Sequence, residues 1–175
     1  MPDDLLHGLP PVVGDSPRVL VLGSFPGEES LRRQTYYAHP RNLFWPIMGA
    51  LVGAGPDLPY PVRLQRLADA GIALWDVLAG CRREGSLDQR IEPASMRVNA
   101  LAELVACHPS LRGCCLNGAT AGRLYHRLKG AERPPLPGIV LPSTSPAHAR
   151  MPLAEKLERW RAAILPQLDP SCRRA

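Results

Sequence analysis

The residues best suited to chemistry lie close together. Gly23-Ser24-Phe25-Pro26-Gly27 is followed, after a polar run, by Tyr36-Tyr37-Ala38-His39-Pro40-Arg41-Asn42-Leu43-Phe44-Trp45. Two glycines let the backbone come close to a ligand, and Pro26 stiffens the turn. Tyr37, Phe44 and Trp45 offer flat faces for stacking, Arg41 suits phosphate, and Asn42 carries both a carbonyl and an amide. Farther on, Asn117 can donate and accept at once, so it can pair with an N–H/C=O edge. A turn asparagine ahead of Gly118 is the equal alternative. Pro142-Ser143-Thr144-Ser145-Pro146-Ala147-His148 brings small hydroxyls and free backbone amides, which grip phosphate without reading sequence. Each piece also has a plain structural use. The aromatics can be core, and Asn42 can cap the helix that follows it.

These residues need elements to position them. Val19-Leu20-Val21-Leu22 is an uninterrupted apolar run, as in a strand buried on both faces, and Gly23 marks its end. Three further segments read the same way: Gly71–Leu78 with its exit, Arg112–Gly118 and Gly138–Leu141. Helical periodicity is expected from Phe44 onward, over Val62–Ala70, Asn99–Ala106, Gly118–Leu128 and Pro152–Leu165, with Trp160 in the core. Glu28–Gln34 is charged and at best briefly helical. Pro40 disfavours helix at His39, so Tyr36–Arg41 is loop. The alternation predicts an α/β fold, a three-layer α/β/α sandwich with a four-stranded, mainly parallel central sheet. The chemistry-bearing residues fall at the carboxyl ends of its strands, where open parallel sheets place their crevices. Residues 1–17 read as an irregular lead-in laid over the sheet, and about 167–175 as a frayed tail.

The 175 residues suffice for one domain, 1–175, with its own core. No apolar run approaches a membrane span, and the acidic start carries no signal-peptide pattern, so a cytoplasmic protein is expected. Five cysteines, odd in number and without a Cys-x-x-Cys, point to reduced thiols rather than a disulfide framework or zinc ribbon. The net charge of +5 suits a polyanionic partner and is weak support for one. Arg82 and Arg83 are candidate phosphate contacts, exposed arginines in solvent being the commoner case. Ser86 and Asp88 are expected to hold their loop.

The Gly-Ser-Phe-Pro-Gly loop together with Tyr-Tyr-Ala-His-Pro-Arg-Asn-x-Phe-Trp resembles the first motif of the uracil-DNA glycosylase superfamily. Its hypoxanthine-DNA (deoxyinosine) glycosylase branch is the most similar. The resemblance runs discontinuously from Val19 to about Trp160. It implies a monofunctional enzyme of base-excision repair that hydrolyses the N-glycosidic bond of a deaminated base in double-stranded DNA, working as a monomer without metal or other cofactor. It places the catalytic asparagine at Asn42, holding the attacking water. Base-binding roles fall on Gly23, Ser24, Phe25, Pro26, Gly27, Tyr37 (stacking on the flipped base) and Asn117. DNA contacts fall on His39, Arg41, Ser143, Thr144, Ser145, His148 and Arg150, with His39 also ordering its loop.

Two departures from the superfamily stand out. Phe25 occupies the place where an acid or amide often precedes the loop proline, and Leu141 and Ser145 replace the usual polar residue and apolar wedge of the second motif. Met151 or Arg150 could fill the vacated stack. The alternatives are a uracil- or G:U/G:T mismatch-directed glycosylase, and a catalytically idle DNA-binding relative. No lysine is expected near the motifs as an amine nucleophile.

Overall fold

The structure is a computed structural model that describes residues 5–168. In chain order its strands are β1 (Leu6–His7), β2 (Val19–Gly23), β3 (Ile72–Asp76), β4 (Leu78–Cys81), β5 (Arg97–Val98), β6 (Gly113–Asn117) and β7 (Gly138–Leu141). The helices are α1 (Glu28–Arg33), α2 (Phe44–Val52), α3 (Tyr60–Ala70), α4 (Leu101–Cys107), α5 (Ala119–Arg127) and α6 (Leu153–Leu168). Four strands form a fully parallel sheet in the order β3-β2-β6-β7. This is the expected four-stranded α/β/α sandwich.

The continuous apolar runs are explained by burial on both faces. Val19, Val21, Leu74 and Cys115 pack with Phe44, Ile47 and Met48 of α2, Leu67 of α3, and Trp160 and Ile164 of α6. Leu20, Leu22, Ala73, Cys114 and Leu116 pack with Leu101 and Leu104 of α4 and Tyr125 of α5 on the other face. Successive strand residues alternate between the two cores, so side-chain polarity is confined to the carboxyl ends, at Asp76 of β3 and Asn117 of β6. Truncating one such leucine to alanine costs about 2–5 kcal/mol.

The helix ends follow from the sequence. α2 and α3 stop at Gly53 (φ 72°) and Gly71 (φ 83°), whose left-handed backbone a glycine adopts without penalty. Pro46 sits in the first turn of α2, where its missing N–H is not needed.

Several expectations need correcting. The lead-in is not wholly irregular: β1 pairs antiparallel with β4, and Val12 bridges Leu74 along the outer side of β3. The segment expected to leave the sheet after Asp76 instead turns into β4. With β1 and β5 it builds a second, antiparallel sheet in the order β1-β4-β5. Under it lies a third small core of Phe25, Leu78, Cys81 and Ile91. Glu28–Arg33 is a complete short helix, with Glu29 paired to Arg32 and Arg33. α6 continues through Pro166 to Leu168. There the Gln167 side chain donates to the Ala163 carbonyl (2.8 Å), and Arg112 donates to the Gln167 carbonyl (3.1 Å). The rest of the expected frayed tail, 169–175, and residues 1–4 lie outside the described residues. Cys81, Cys107, Cys114 and Cys115 carry free thiols. Among the described residues no helix is long and apolar enough to cross a membrane.

Candidate active site

The ends of β2, β3 and β6 lie side by side, and a cavity of about 460 Å³ opens above them. The first wall is the Ser24–Gly27 loop. The Ser24 hydroxyl donates to both carboxylate oxygens of Asp88 at 2.8 Å. Arg83 donates to the Pro26 carbonyl (2.6 Å) and the Gly85 carbonyl (2.8 Å), and its guanidinium lies 5.1 Å from the Phe25 ring centre. Ser86 accepts from the Glu28 N–H at 3.0 Å. Ser86 and Asp88 thus hold the loop, as expected. Arg83 is buried behind it, which corrects its reading as an exposed phosphate contact. Arg82 is half-exposed and paired with Glu92. Phe25 fills the small third core, so the residue at this unusual position serves as an anchor for the loop.

The second wall is the Tyr36–Asn42 segment. Tyr36 is tied down on three sides. Its N–H donates to the Tyr60 hydroxyl (2.9 Å), its carbonyl accepts from the Trp45 indole (3.0 Å), and its hydroxyl donates to the Pro10 carbonyl (2.9 Å). Tyr37 takes a left-handed backbone (φ 53°), uncommon for a residue with a side chain. Its ring stacks on Phe44 at 4.0 Å, so one face is covered. His39 to Asn42 close a tight turn: the Asn42 N–H donates to the His39 carbonyl and the Arg41 N–H to His39 Nδ1. His39 therefore orders the loop. Asn42 Oδ1 accepts from the Phe44 N–H at 2.9 Å, so Asn42 does cap α2. It also lines the cavity, and a carbonyl oxygen keeps a second lone pair.

The third wall is the loop from Pro142 to His148, with Asn117 at the end of β6. Asn117 Oδ1 accepts from the Thr144 N–H (3.0 Å), and its Nδ2 donates to Thr144 Oγ1 (2.9 Å). Thr144 also accepts from the Leu43 N–H at 3.0 Å, which ties this loop to the Asn42 turn. Thr144 lines the cavity and is wholly buried, an internal node of this wall. Asn117 is then a clamp on that node, with one amide hydrogen left over. Ser145 accepts from the Ala147 N–H and Ser143 from the Ser145 N–H. From beneath, Lys156 donates to the Ser143 carbonyl (2.6 Å) and the His148 carbonyl (2.8 Å), while the Trp160 indole donates to the Pro142 carbonyl (2.9 Å). A lysine thus stands beside the second motif, engaged by those two carbonyls. It is buried, and burial pushes its pKa down.

Gly23, Pro26, Gly27, Ser143, Ser145 and His148 all line the cavity. Arg41 and Arg150 do not. Both are exposed, Arg150 at a smaller neighbouring hollow with Met151. Among the described residues, no group of three or more His, Cys, Asp or Glu side chains is placed to hold a metal.

Sequence reasoning missed Asp76. It ends β3, directly beside Gly23 in the register, and lines the cavity while only 4% exposed. Burial, then the nearby Asp88 charge, push its carboxyl up to about 7, against the opposing pull of Arg83. The available signal was an acid closing the apolar run Ile72-Ala73-Leu74-Trp75, in the position that Gly23 and Asn117 hold in theirs.

Comparison with known proteins identifies the family. The family model of the uracil DNA glycosylase superfamily matches residues 10–169. A hypoxanthine DNA glycosylase of Methanosarcina acetivorans is 36% identical over 159 residues, covering 90% of this chain and 97% of that protein. One of Methanosarcina barkeri is 36% identical over 117 residues, 66% of this chain and 73% of its own length. The solution NMR structure of a candidate uracil DNA glycosylase from Methanosarcina acetivorans superposes with a TM-score of 0.73 at 34% identity, covering 90% of this chain and 98% of that one. With the family model spanning residues 10–169 and a relative 36% identical over 90% of the chain, the chain belongs to the uracil DNA glycosylase superfamily.

Proposed function

We propose that this chain is a monofunctional DNA glycosylase that hydrolyses the N-glycosidic bond of hypoxanthine in deoxyinosine-containing duplex DNA, as a step of base-excision repair. The observation that carries the reading is the convergence of three separate motifs on one cavity at the strand ends. The names of the two Methanosarcina relatives support hypoxanthine as the base.

A base inside the duplex is out of reach, so the nucleotide is flipped into the cavity. The face of Tyr37 not covered by Phe44 stacks on it, worth about 1–3 kcal/mol. Backbone amides of the Ser24–Gly27 loop and the remaining Asn117 amide hydrogen meet the base's polar edge. The departing base leaves an oxocarbenium-like sugar, as in glycoside hydrolysis generally. Asn42 holds the water that adds to C1′. Its bond to the Phe44 N–H fixes the side-chain carbonyl, and the second lone pair takes the water. An amide is no strong base, so this contribution is positioning. Arg41, His148 and Arg150, exposed on the flanking loops, meet phosphates without reading sequence. Lys156 is spent on two carbonyls, which supports hydrolysis without an amine adduct or strand cleavage.

The test uses duplex oligonucleotides bearing one deoxyinosine, deoxyuridine or deoxyxanthosine, incubated without added metal and then treated with alkali. Cleavage at deoxyinosine is expected, with no strand break before alkali. Cleavage at deoxyuridine alone moves the protein to the uracil- or mismatch-directed reading. No cleavage by folded protein favours an idle DNA-binding relative. The same proposal has the enzyme acting in the cytoplasm as a monomer, which light scattering of free and DNA-bound protein checks.

A further inference from the structure

Most polar side chains around the cavity are already engaged inside the protein. Ser24 serves Asp88, Ser86 serves Glu28, Ser145 serves Ala147, and Asn117 serves Thr144. Asp76 is different. It lines the cavity at the end of β3, it is 4% exposed, and its Oδ2 has no hydrogen-bond partner among the described residues. A native carboxyl left in that state calls for an explanation. Gly23 bears on it directly. A Cβ built there would collide with Asp76 Oδ1 and come within 3.5 Å of the Tyr37 hydroxyl. Only glycine at the end of β2 leaves room for Asp76 at the cavity wall.

We propose that Asp76 is a second catalytic residue of the excision reaction, contacting the flipped base and donating a hydrogen bond to it from its carboxyl O–H as the base departs. This rests on the glycosylase reading above. Negative charge builds on the base as the C1′–N bond breaks with its electron pair on the base. A donor there stabilises that charge, while a carboxylate would oppose it. The hydroxyl of one water adds to C1′, and the remaining water proton ends on the base. The Asp76 proton is lent through the hydrogen bond and recovered, so the sum is simple hydrolysis.

The surroundings favour the neutral acid. Asp76 is faced by Asp88 and Arg83 from the segment after β4, and by Tyr36 and Tyr37 from the segment after α1. Burial and Asp88 raise its pKa to about 7, and Arg83 opposes them. Asp88, also raised by burial, is engaged by Ser24 and does not share the unpartnered state.

The experiment is a single-turnover pH profile of hypoxanthine excision between pH 5.5 and 9, at roughly tenfold intervals of proton activity, for the wild type, Asp76→Asn and Asp76→Leu. The wild-type rate should fall about tenfold per pH unit above pH 7. Asp76→Asn, a donor that does not ionise, should keep measurable excision with a flat profile, and Asp76→Leu should lose about 100-fold or more. A merely structural role for Asp76 would not flatten the profile. A wild-type rate that does not decline above pH 7, or an Asp76→Asn profile that still declines, overturns the proposal. The wild-type profile alone decides the matter if the variants fail to fold. Wild type that excises no hypoxanthine at any pH overturns the glycosylase reading instead, a distinct outcome.

Discussion

Asn42 illustrates how one side chain can hold two offices. Its carbonyl caps α2 at the Phe44 N–H and, in the proposed reaction, orients a water through its other lone pair. The two offices separate by mutation. Asn42→Ala should lose about 100-fold or more in single-turnover excision, and about 1 kcal/mol of stability with the cap. Asn42→Asp keeps an acceptor for the Phe44 N–H, so its melting temperature should stay near wild type while excision drops. Equal losses of stability in the two variants would show that the cap is not what Asn42 supplies to the fold. Asp76 makes the opposite bargain. Its folded pKa of about 7 lies above the ordinary 3.8, so the folded state holds the proton more tightly. Its contribution to stability is therefore complete below about pH 4 and is lost as pH rises to about 7. The cost above pH 7 is on the order of 4 kcal/mol. Asp76→Asn should remove that slope, and denaturant titrations at pH 5 and 8 check it: the variant should gain on the wild type at pH 8.

At the scale of elements, the Pro142–His148 loop is held from beneath by α6. Lys156 donates to two of its carbonyls and Trp160 to a third. Lys156→Met keeps the stem packed and removes both ammonium bonds. It should cost about 2 kcal/mol, and hydrogen exchange should speed up in residues 143–148 while β2 stays protected. Loss of protection throughout the sheet would instead make Lys156 a general core residue. Lys156 was illegible in the sequence because its partners lie 13 and 8 residues away across a turn. The same distinction separates what could be read from what could not. β2 and β6 were legible because a strand at the centre of a parallel sheet writes its burial into an unbroken apolar run. β1 and β5, two residues each, were not, since nothing local makes them strands and only pairing with β4 does. Tyr37, Asn42 and the Gly23–Gly27 loop were legible because their spacing along the chain is itself the motif. Asp76 and Arg83 were not, because their surroundings arise from long-range register: Asp76 beside Gly23, Arg83 reaching back to Pro26.

For the whole molecule, the distribution of charge bears on binding. Arg41 and Arg150 are exposed on loops flanking the cavity, on a chain of net charge +5. If each neutralises one phosphate, the double substitution Arg41→Ala, Arg150→Ala should weaken binding to any duplex, damaged or not. It should also reduce the slope of log K against log salt by about 2. Fluorescence anisotropy at several salt concentrations checks this. A selective loss of binding to deoxyinosine duplex, with the slope unchanged, would place those arginines at the base rather than the backbone.

The bonds at Thr144 bear on how such an enzyme could be redesigned. One buried residue joins the end of β6, the Asn42 turn and the outer loop. Changes on that side of the cavity cannot be made singly, because the water-holding turn and the strand-gripping loop share a fastening. The β3 side is fastened differently: the Asp76 carbonyl accepts from Asn99 Nδ2 (2.9 Å) and the Gly23 carbonyl from the Val77 N–H (2.9 Å), while Asp76 Oδ2 has no hydrogen-bond partner among the described residues. An engineer seeking a different range of bases with the grip on DNA intact would leave Thr144 untouched.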